Sequence, residues 1–478
     1  GLNILTDPLW SKYCSPVPLW PLRRRVAPGI PFEKLPRIDL VLLSHSHYDH
    51  CDVPILRRLG VTPFYAVPAG LARFVARKTA GRTHEAEWGE TLAVAGAKLT
   101  ARLAVRMPIL KVIAEARRLL DARPAKGDVP RSSLETAEYL VEEVARLIES
   151  GDEDIRYLGA EAERALRYAR EIFEGRDPLA SFRGGIERLG YRSSIDGALH
   201  PYGLYVPPGW REEGDKRFGL VVSLHGLNSF PMKALTSLFG VPLGETESKL
   251  ERERRPLPVG SAPMFAVAPE GFGNSNYFGY GERDVMEVID RVVERYRIDP
   301  SRIYITGASM GGTGALSVPL HFPDRFAAAA PLCGYHSVFE YRAVRGQKLE
   351  PWEKSSAARL SNVSYAENGR YLPLHVVHGQ KDQPRTSEVL VKRYEELGYE
   401  VAFETPDLGH NVWDETYEDR WIFDHFRPLE RASHPRRVTF TTGRLRYGGA
   451  HWARIDDAAD YSRFARIDAT WREDGTIA

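Results

Sequence analysis

The pentapeptide Gly307-Ala308-Ser309-Met310-Gly311 follows the apolar run Arg302-Ile303-Tyr304-Ile305-Thr306 and precedes the small-residue run Gly312-Thr313-Gly314-Ala315-Leu316. A G-x-S-x-G pattern between a strand and a helix makes a sharp turn that strains the serine backbone and lifts its hydroxyl out of the sheet. Glycines flank the serine because side chains there would strike the neighbouring strand or helix. The helix behind it begins with unpaired N–H groups, which suit a developing oxyanion. Ser309 is therefore the candidate nucleophile.

A serine hydroxyl is a weak nucleophile at neutral pH. It needs a base within hydrogen-bond reach, and the base needs an orienting acid. Where such an elbow operates, the chain order is serine, acid, histidine. Asp382 lies in Gly379-Gln380-Lys381-Asp382, just after the apolar run Leu374 to Val377. A carboxylate at the carboxyl end of a sheet strand shares a rim with the elbow, so Asp382 is the candidate acid. Asp407 is a rival, but it sits three residues before the candidate base and has little room to approach the same ring. That base is His410, in Leu408-Gly409-His410-Asn411-Val412-Trp413, behind an expected strand Val401 to Glu404. His375 and His378 are read as structural, and His336 and His425 lack a partner pattern. Two backbone N–H groups must complete an oxyanion hole. Met310 follows the nucleophile and supplies one; Leu227, in Leu224-His225-Gly226-Leu227-Asn228, is expected to supply the other.

The elements that must position these residues are strands and helices in alternation. Pro201 to Val206, Phe218 to Leu224, Met264 to Ala268, Ala327 to Ala330 and Leu374 to Val377 read as strands, and Asp284 to Tyr296 as a helix. Near-continuous apolar runs suit a sheet covered on both faces, with right-handed crossovers and mostly parallel strands. Upstream, Leu134, Ala137, Leu140, Val141, Val144, Leu147 and Ile148 recur at helical spacing behind a capping-box pattern, Ser132 with Glu135. A second helical stripe runs from Leu158 to Phe173. These helices are expected to pack on the body of the protein, with a substrate lid as the alternative. Four segments are expected: 1–101, the helical 102–185, the α/β 186–430, and a β-rich tail 431–478.

At 478 residues the chain exceeds one ordinary core. Hydrophobic residues make up 43% and charged residues 27%, a globular mixture, and the net charge of +1 gives no field toward nucleic acid or anionic membranes. Three cysteines (Cys14, Cys51, Cys333) are too few and scattered for a disulfide framework. No apolar run reaches the roughly 20 residues of a membrane helix. The expectation is a soluble protein with no nucleic-acid or membrane partner, in the cytoplasm or secreted. The start at Gly1 leaves a lost leader open, and the end at Ala478 reads as a truncated tail.

Residues 186 to 430 resemble the esterases and peptidases of the α/β-hydrolase superfamily. The likeness is nearest to polyhydroxybutyrate depolymerase-like enzymes, feruloyl and acetyl-xylan esterases, and the catalytic domain of prolyl oligopeptidase-like proteins. It rests on His225-Gly226, Asp299-Pro300-Ser301-Arg302-Ile303-Tyr304, the Ser309 elbow, Gly379-Gln380-Lys381-Asp382 and Gly409-His410. The resemblance implies an α/β fold, a Ser309–His410–Asp382 triad and acyl transfer to water, with a small-molecule ester as substrate and no cofactor.

A second motif, His45-Ser46-His47-Tyr48-Asp49-His50, is a dense set of zinc-ligand types. It resembles the H-x-H-x-D-H signature of the metallo-β-lactamase fold. Ile4-Leu5-Thr6-Asp7-Pro8 and Pro28-Gly29-Ile30 resemble the branch related to phospholipase D acting on N-acyl-ethanolamine lipids. That family's site needs a later histidine, a bridging aspartate and another histidine, whereas the resemblance stops near Thr100. His84 and His451 do not stand in the expected contexts. The expectation is a partial module without a working metal site, fused to an intact hydrolase. The leading reading is a serine carboxylic ester hydrolase. The alternatives are a prolyl oligopeptidase-like peptidase, a zinc-dependent hydrolase using the histidine motif, and a non-catalytic binding protein.

Overall fold

The computed structural model describes residues 3–6, 8–11, 30–43, 51–68, 70–86, 91–94, 97–100, 107–122, 129–151, 154–241, 262–341 and 344–478. The chain divides into two compact units, Gly1–Glu115 with Glu143–Ala162, and Ala116–Glu142 with Glu163–Ala478. Among the described residues, no helix is long and apolar enough to cross a membrane.

The first unit holds a four-stranded parallel sheet of β1 (Ile4–Thr6), β2 (Leu40–Leu42), β3 (Phe64–Pro68) and β4 (Thr83–Ala86), in that order. Two short helices, α1 (Val53–Leu59) and α2 (Ala72–Thr79), supply the crossovers. Its core gathers Ile38, Val41, Leu43, Leu56, Tyr65, Val67 and Val75. Asp52 caps α1 through Ile55 N–H, and its carboxylate also accepts from Trp10 N–H, Ser11 N–H and Ser11 Oγ at 2.7–3.1 Å. That buried carboxylate thus ties the start of the chain to the helix. The hairpin β5 (Thr91–Val94) and β6 (Ala97–Thr100) follows. His45, His47, Asp49 and His50 lie outside the described residues. His84 is in β4, stacked on Phe64.

Three helices lead into the second unit: α3 (Met107–Asp121), α4 (Arg131–Glu149) and α5 (Ile155–Phe173). The expected capping box does not form. The helix starts at Arg131, Ser132 Oγ makes no hydrogen bond, and Glu135 is drawn instead to the guanidiniums of Arg131 and Arg291, at 2.9 and 2.7 Å. Two charge-assisted bonds outweigh one neutral cap.

The second unit is built on an eight-stranded sheet. Its strands are β7 (Gly185–Arg192), β8 (Leu199–Val206), β9 (Phe218–Leu224), β10 (Phe265–Pro269), β11 (Ile298–Ala308), β12 (Ala328–Leu332), β13 (Leu374–Val377) and β14 (Val401–Glu404). The order across the sheet is β14-β13-β12-β11-β9-β10-β8-β7, with β7 and β8 antiparallel and β9 to β14 parallel. β9, β10, β12 and β13 are buried along their whole length, which explains their largely apolar sequence. The unit is an α/β-hydrolase sheet with flanking helices. Those helices are α6 (Pro231–Leu238), α7 (Tyr280–Arg295), α8 (Met310–His321), α9 (Pro351–Arg359), α10 (Arg385–Leu397), α11 (Trp413–Thr416) and α12 (Trp421–Phe426).

The first part of α4 packs on this sheet. Thr136 Oγ1 accepts from Gly190 N–H at 3.1 Å, and Tyr139 fills the space a side chain at 190 would take. On α5, Arg164 pairs with Glu187 of β7. These are packing contacts, as expected for helices that cover the body. The tail adds an antiparallel pair, β15 (Arg437–Thr442) with β18 (Ala465–Thr470), and a short hairpin of β16 (Gly449–Ala450) and β17 (Ala453–Arg454).

Candidate active site

The elbow sits where β11 ends and α8 begins. Ser309 has φ 58° and ψ −116°, a left-handed conformation that L-residues adopt only under constraint. The constraint is visible. Ser309 N–H bonds to Leu332 O of β12 at 2.9 Å, and Ser309 O accepts from Thr313 N–H at 3.0 Å. Gly311 is required, because a Cβ there would stand 2.1 Å from Leu224 O. The turn is therefore clamped between β9, β12 and its own helix.

Three loops bring the other groups to this point. The loop after β13 lies along the loop after β14 through Gln380 N–H to Pro406 O and Lys381 N–H to Leu408 O, both 2.8 Å. Gly379 allows this approach, since a Cβ there would fall 1.9 Å from Gly409 O. Asp382 and His410 meet as a result. His410 Nε2 is 2.9 Å from Ser309 Oγ, and His410 Nδ1 is 2.8 Å from Asp382 Oδ2. The imidazole side chain is 41% exposed, so the reaction edge is open to solvent, while Asp382 is 14% exposed. Trp413 packs edge-on against the His410 ring at 5.7 Å. Asp407, the rival acid, is 74% exposed and pairs with Lys381 Nζ at 2.9 Å.

His378 was read from sequence as a structural residue, and the structure puts it on the acid. Its Nε2 is 3.0 Å from the same Asp382 Oδ2, and its Nδ1 is 2.8 Å from Ser387 Oγ. Burial holds the His378 imidazole below its ordinary pKa despite the nearby carboxylate. A carboxylate only accepts, so Nε2 donates to Asp382, while Ser387 Oγ lies between Nδ1 and Gly334 O, 3.2 Å from the latter. Partial burial acts to raise the Asp382 pKa, but hydrogen bonds from His410 and His378 outweigh it and hold the carboxyl below its ordinary value. The cue in sequence was the four-residue spacing from His378 to Asp382, which means little without the loop conformation. The Cys333 thiol also lies beside Asp382 and His410, and burial pushes its pKa up to about 11, so it stays protonated.

Residues 225–228 press on the elbow from the other side. A Cβ at Gly226 would meet Ala308 O at 3.4 Å. His225 holds the loop, its ring nitrogens 2.8 Å from Gly226 O and 2.7 Å from Glu270 O. Asn228 and Asn274 bond reciprocally at 2.8 and 2.7 Å, fastening this loop to the one after β10. Leu227 is 53% exposed above the elbow, and Met310 opens α8, where N–H groups lack helical acceptors. Tyr335 receives a hydrogen bond from Gln383 Nε2 at 3.0 Å, next to Asp382, whereas Trp352 is 69% exposed.

With this geometry in view, the sequence matches fall into two parts. Residues 2–109 match the beta-lactamase superfamily domain, and residues 272–427 match the prolyl oligopeptidase family. The chain joins a β-lactamase-fold domain to an α/β-hydrolase domain. The hydrolase domain has the serine-hydrolase fold of esterases and prolyl oligopeptidase-type peptidases. The chain is 39% identical over 143 residues to poly(3-hydroxyalkanoate) depolymerase C of Paucimonas lemoignei, covering 28% of this chain and 34% of that one. It is 34% identical over 96 residues to the mitochondrial N-acyl-phosphatidylethanolamine-hydrolyzing phospholipase D of Saccharomyces cerevisiae, covering 20% of each. The chain thus spans 34% or less of the length of these curated relatives. A solved ferulic acid esterase is 18% identical, with a TM-score of 0.40, covering 52% of this chain and 100% of that one.

The β-lactamase superfamily match implies a metal centre. The histidine motif that would supply its ligands is outside the described residues. Among the described residues, the one cluster of ligand-type side chains is Cys333, Asp382 and His410. The imidazole of that set is already shared between the carboxylate and Ser309 Oγ, so the set does not fit a metal.

Proposed function

We propose that the α/β-hydrolase domain is a serine carboxylic ester hydrolase working through an acyl-enzyme. The observation that carries this reading is the unbroken relay from Ser309 Oγ to His410 (2.9 Å) to Asp382 (2.8 Å) on a strained elbow. In the first half-reaction Ser309 Oγ attacks the ester carbonyl carbon as its proton passes to His410 Nε2. The negative oxygen that forms is held by the N–H groups of Met310 and Leu227, each worth about 3 kcal/mol of transition-state stabilisation. Asp382 stabilises the imidazolium and fixes its tautomer. Collapse breaks the bond to the alcohol oxygen, which takes the proton from His410 Nε2. Water, deprotonated by His410, then attacks the acyl carbon, and Ser309 recovers its proton as the acid leaves.

Ester rather than peptide substrates are supported by the stretch 39% identical to a poly(3-hydroxyalkanoate) depolymerase. A second reading, a prolyl oligopeptidase-like peptidase, is supported by the match over residues 272–427. Hydrolysis of p-nitrophenyl esters of graded chain length, alongside phenolic and acetyl-sugar esters and a prolyl peptide anilide, separates the two. Turnover of esters, blocked by a serine-directed phosphonate and unchanged by chelator, is expected. Anilide cleavage without ester turnover would favour the peptidase, and loss of turnover on chelation would reject both in favour of metal chemistry.

A further inference from the structure

A second polar cluster lies at the far end of the elbow helix. α8 spans 12 residues, so His321 stands about 18 Å along its axis from Ser309. A cavity of about 180 Å³ opens there, lined by His321, Arg359, Arg444, Arg446, Tyr280 and Tyr447, among others. Three arginines therefore line a small volume. Tyr280 begins α7, whose first N–H groups add positive potential.

The imidazole in this cavity is incompletely satisfied. His321 is 3% exposed. Its Nδ1 is 2.6 Å from Glu282 Oε1, and the other oxygen of that fully buried carboxylate accepts from Tyr447 OH. Tyr447 stacks on the ring at 4.2 Å and Tyr365 meets it edge-on at 4.4 Å. His321 Nε2 has no hydrogen-bond partner. A polar atom buried without a partner is costly and uncommon. Glu282, and Asp460 acting on Arg359, leave positive charge in excess.

We propose that this cavity binds a phosphate group. Guanidinium forks match phosphate oxygens in pairs. His321 Nε2 is itself buried, so the His321–Glu282–Tyr447 cluster forms the floor of the cavity and the arginines supply the donors. Arg359 is held by Gly443 O and Tyr461 O, at 3.1 and 2.9 Å, and by Ser355, so Arg444 and Arg446 are the arginines that would contact the ligand. The lining comes from α7, α8, α9 and the tail, so the ligand would bind the tail to the hydrolase body and stabilise both. The site is remote from Ser309 and does not depend on the catalytic reading.

Calorimetric titration and thermal unfolding of the full chain with inorganic phosphate, against sodium chloride at equal ionic strength, test the proposal. Phosphorylethanolamine and glycerol 3-phosphate form the monoester arm. Saturable phosphate binding with a raised unfolding temperature is expected, weakened at least about tenfold in Arg444→Gln and Arg446→Gln while ester turnover stays at the wild-type level. Tighter binding of a monoester than of phosphate assigns the site to a headgroup or metabolite ester, and the reverse order assigns it to free phosphate. Absence of saturable binding beyond chloride, or unchanged affinity in both arginine variants, would overturn the proposal.

Discussion

Asp382 Oδ2 is shared by two histidines, only one of which reaches the serine. In the proposed reaction His410 exchanges the proton, and His378, bonded to Ser387, holds the carboxylate from behind. Ser309→Ala should abolish ester turnover with the circular dichroism spectrum unchanged; retained turnover would end the assignment. Asp382→Asn should lower kcat by about 10⁴-fold, because an amide can hold the wrong imidazole tautomer. His378→Gln should act more mildly, through Asp382 alone. We expect kcat to fall, KM to stay, and the activity–pH profile to move, since one of the bonds holding that carboxyl below its ordinary pKa is lost. A profile identical to wild type would mean that His378 only fills space.

Elements set the reach of these side chains. The elbow exists because β9 and α8 approach without a side chain between them, so Gly311→Ala should remove both activity and cooperative unfolding. β8 and β10 are joined at their ends by His200, whose ring nitrogens lie 2.9 Å from Asp196 and 3.0 Å from Glu270. The hydrogen bond to Glu270, opposed by burial and helped by Asp196, raises the His200 pKa from 6.5 to about 9. A raised folded-state value means that protonation favours folding. The stabilisation is complete below about pH 6.5 and is lost as pH rises through about 9. In thermal melts, the gap between wild type and His200→Asn should be wide at pH 6 and nearly closed at pH 10. A gap that does not change with pH would place its origin in packing.

At the scale of the molecule, the tail is part of the hydrolase unit. Buried Asn368 donates to Leu320 O at 2.7 Å and to Thr441 O at 2.9 Å, and it accepts from Thr441 N–H at 2.7 Å. Val438, Phe440 and Tyr447 are buried as well. Deleting residues 437–478 should expose these contacts and lower the unfolding temperature by at least about 5 °C, read by scanning calorimetry. An unchanged melting curve would show the tail to be an independent appendage.

The sequence alone determined the type of fold and named the residues on which the proposed chemistry rests. Ser309 and Asp382 stood out because each follows an apolar run, whereas His410 stood out by its place in the serine, acid, histidine order, after Gly409. Burial on both faces also made β9, β10 and β13 legible. β7 was not, since Glu187-Arg188-Leu189-Gly190 is no apolar run, although Arg188 to Tyr191 are buried where the strand pairs with β8. The capping box failed for another reason: Arg291, more than a hundred residues away, competes for Glu135. Only the tertiary structure decided that His378 shares the acid, that Asp407 turns to Lys381, and that Arg359 joins Arg444 and Arg446 around one cavity. Such groups meet through loop paths and sheet order, and local spacing carries no record of either.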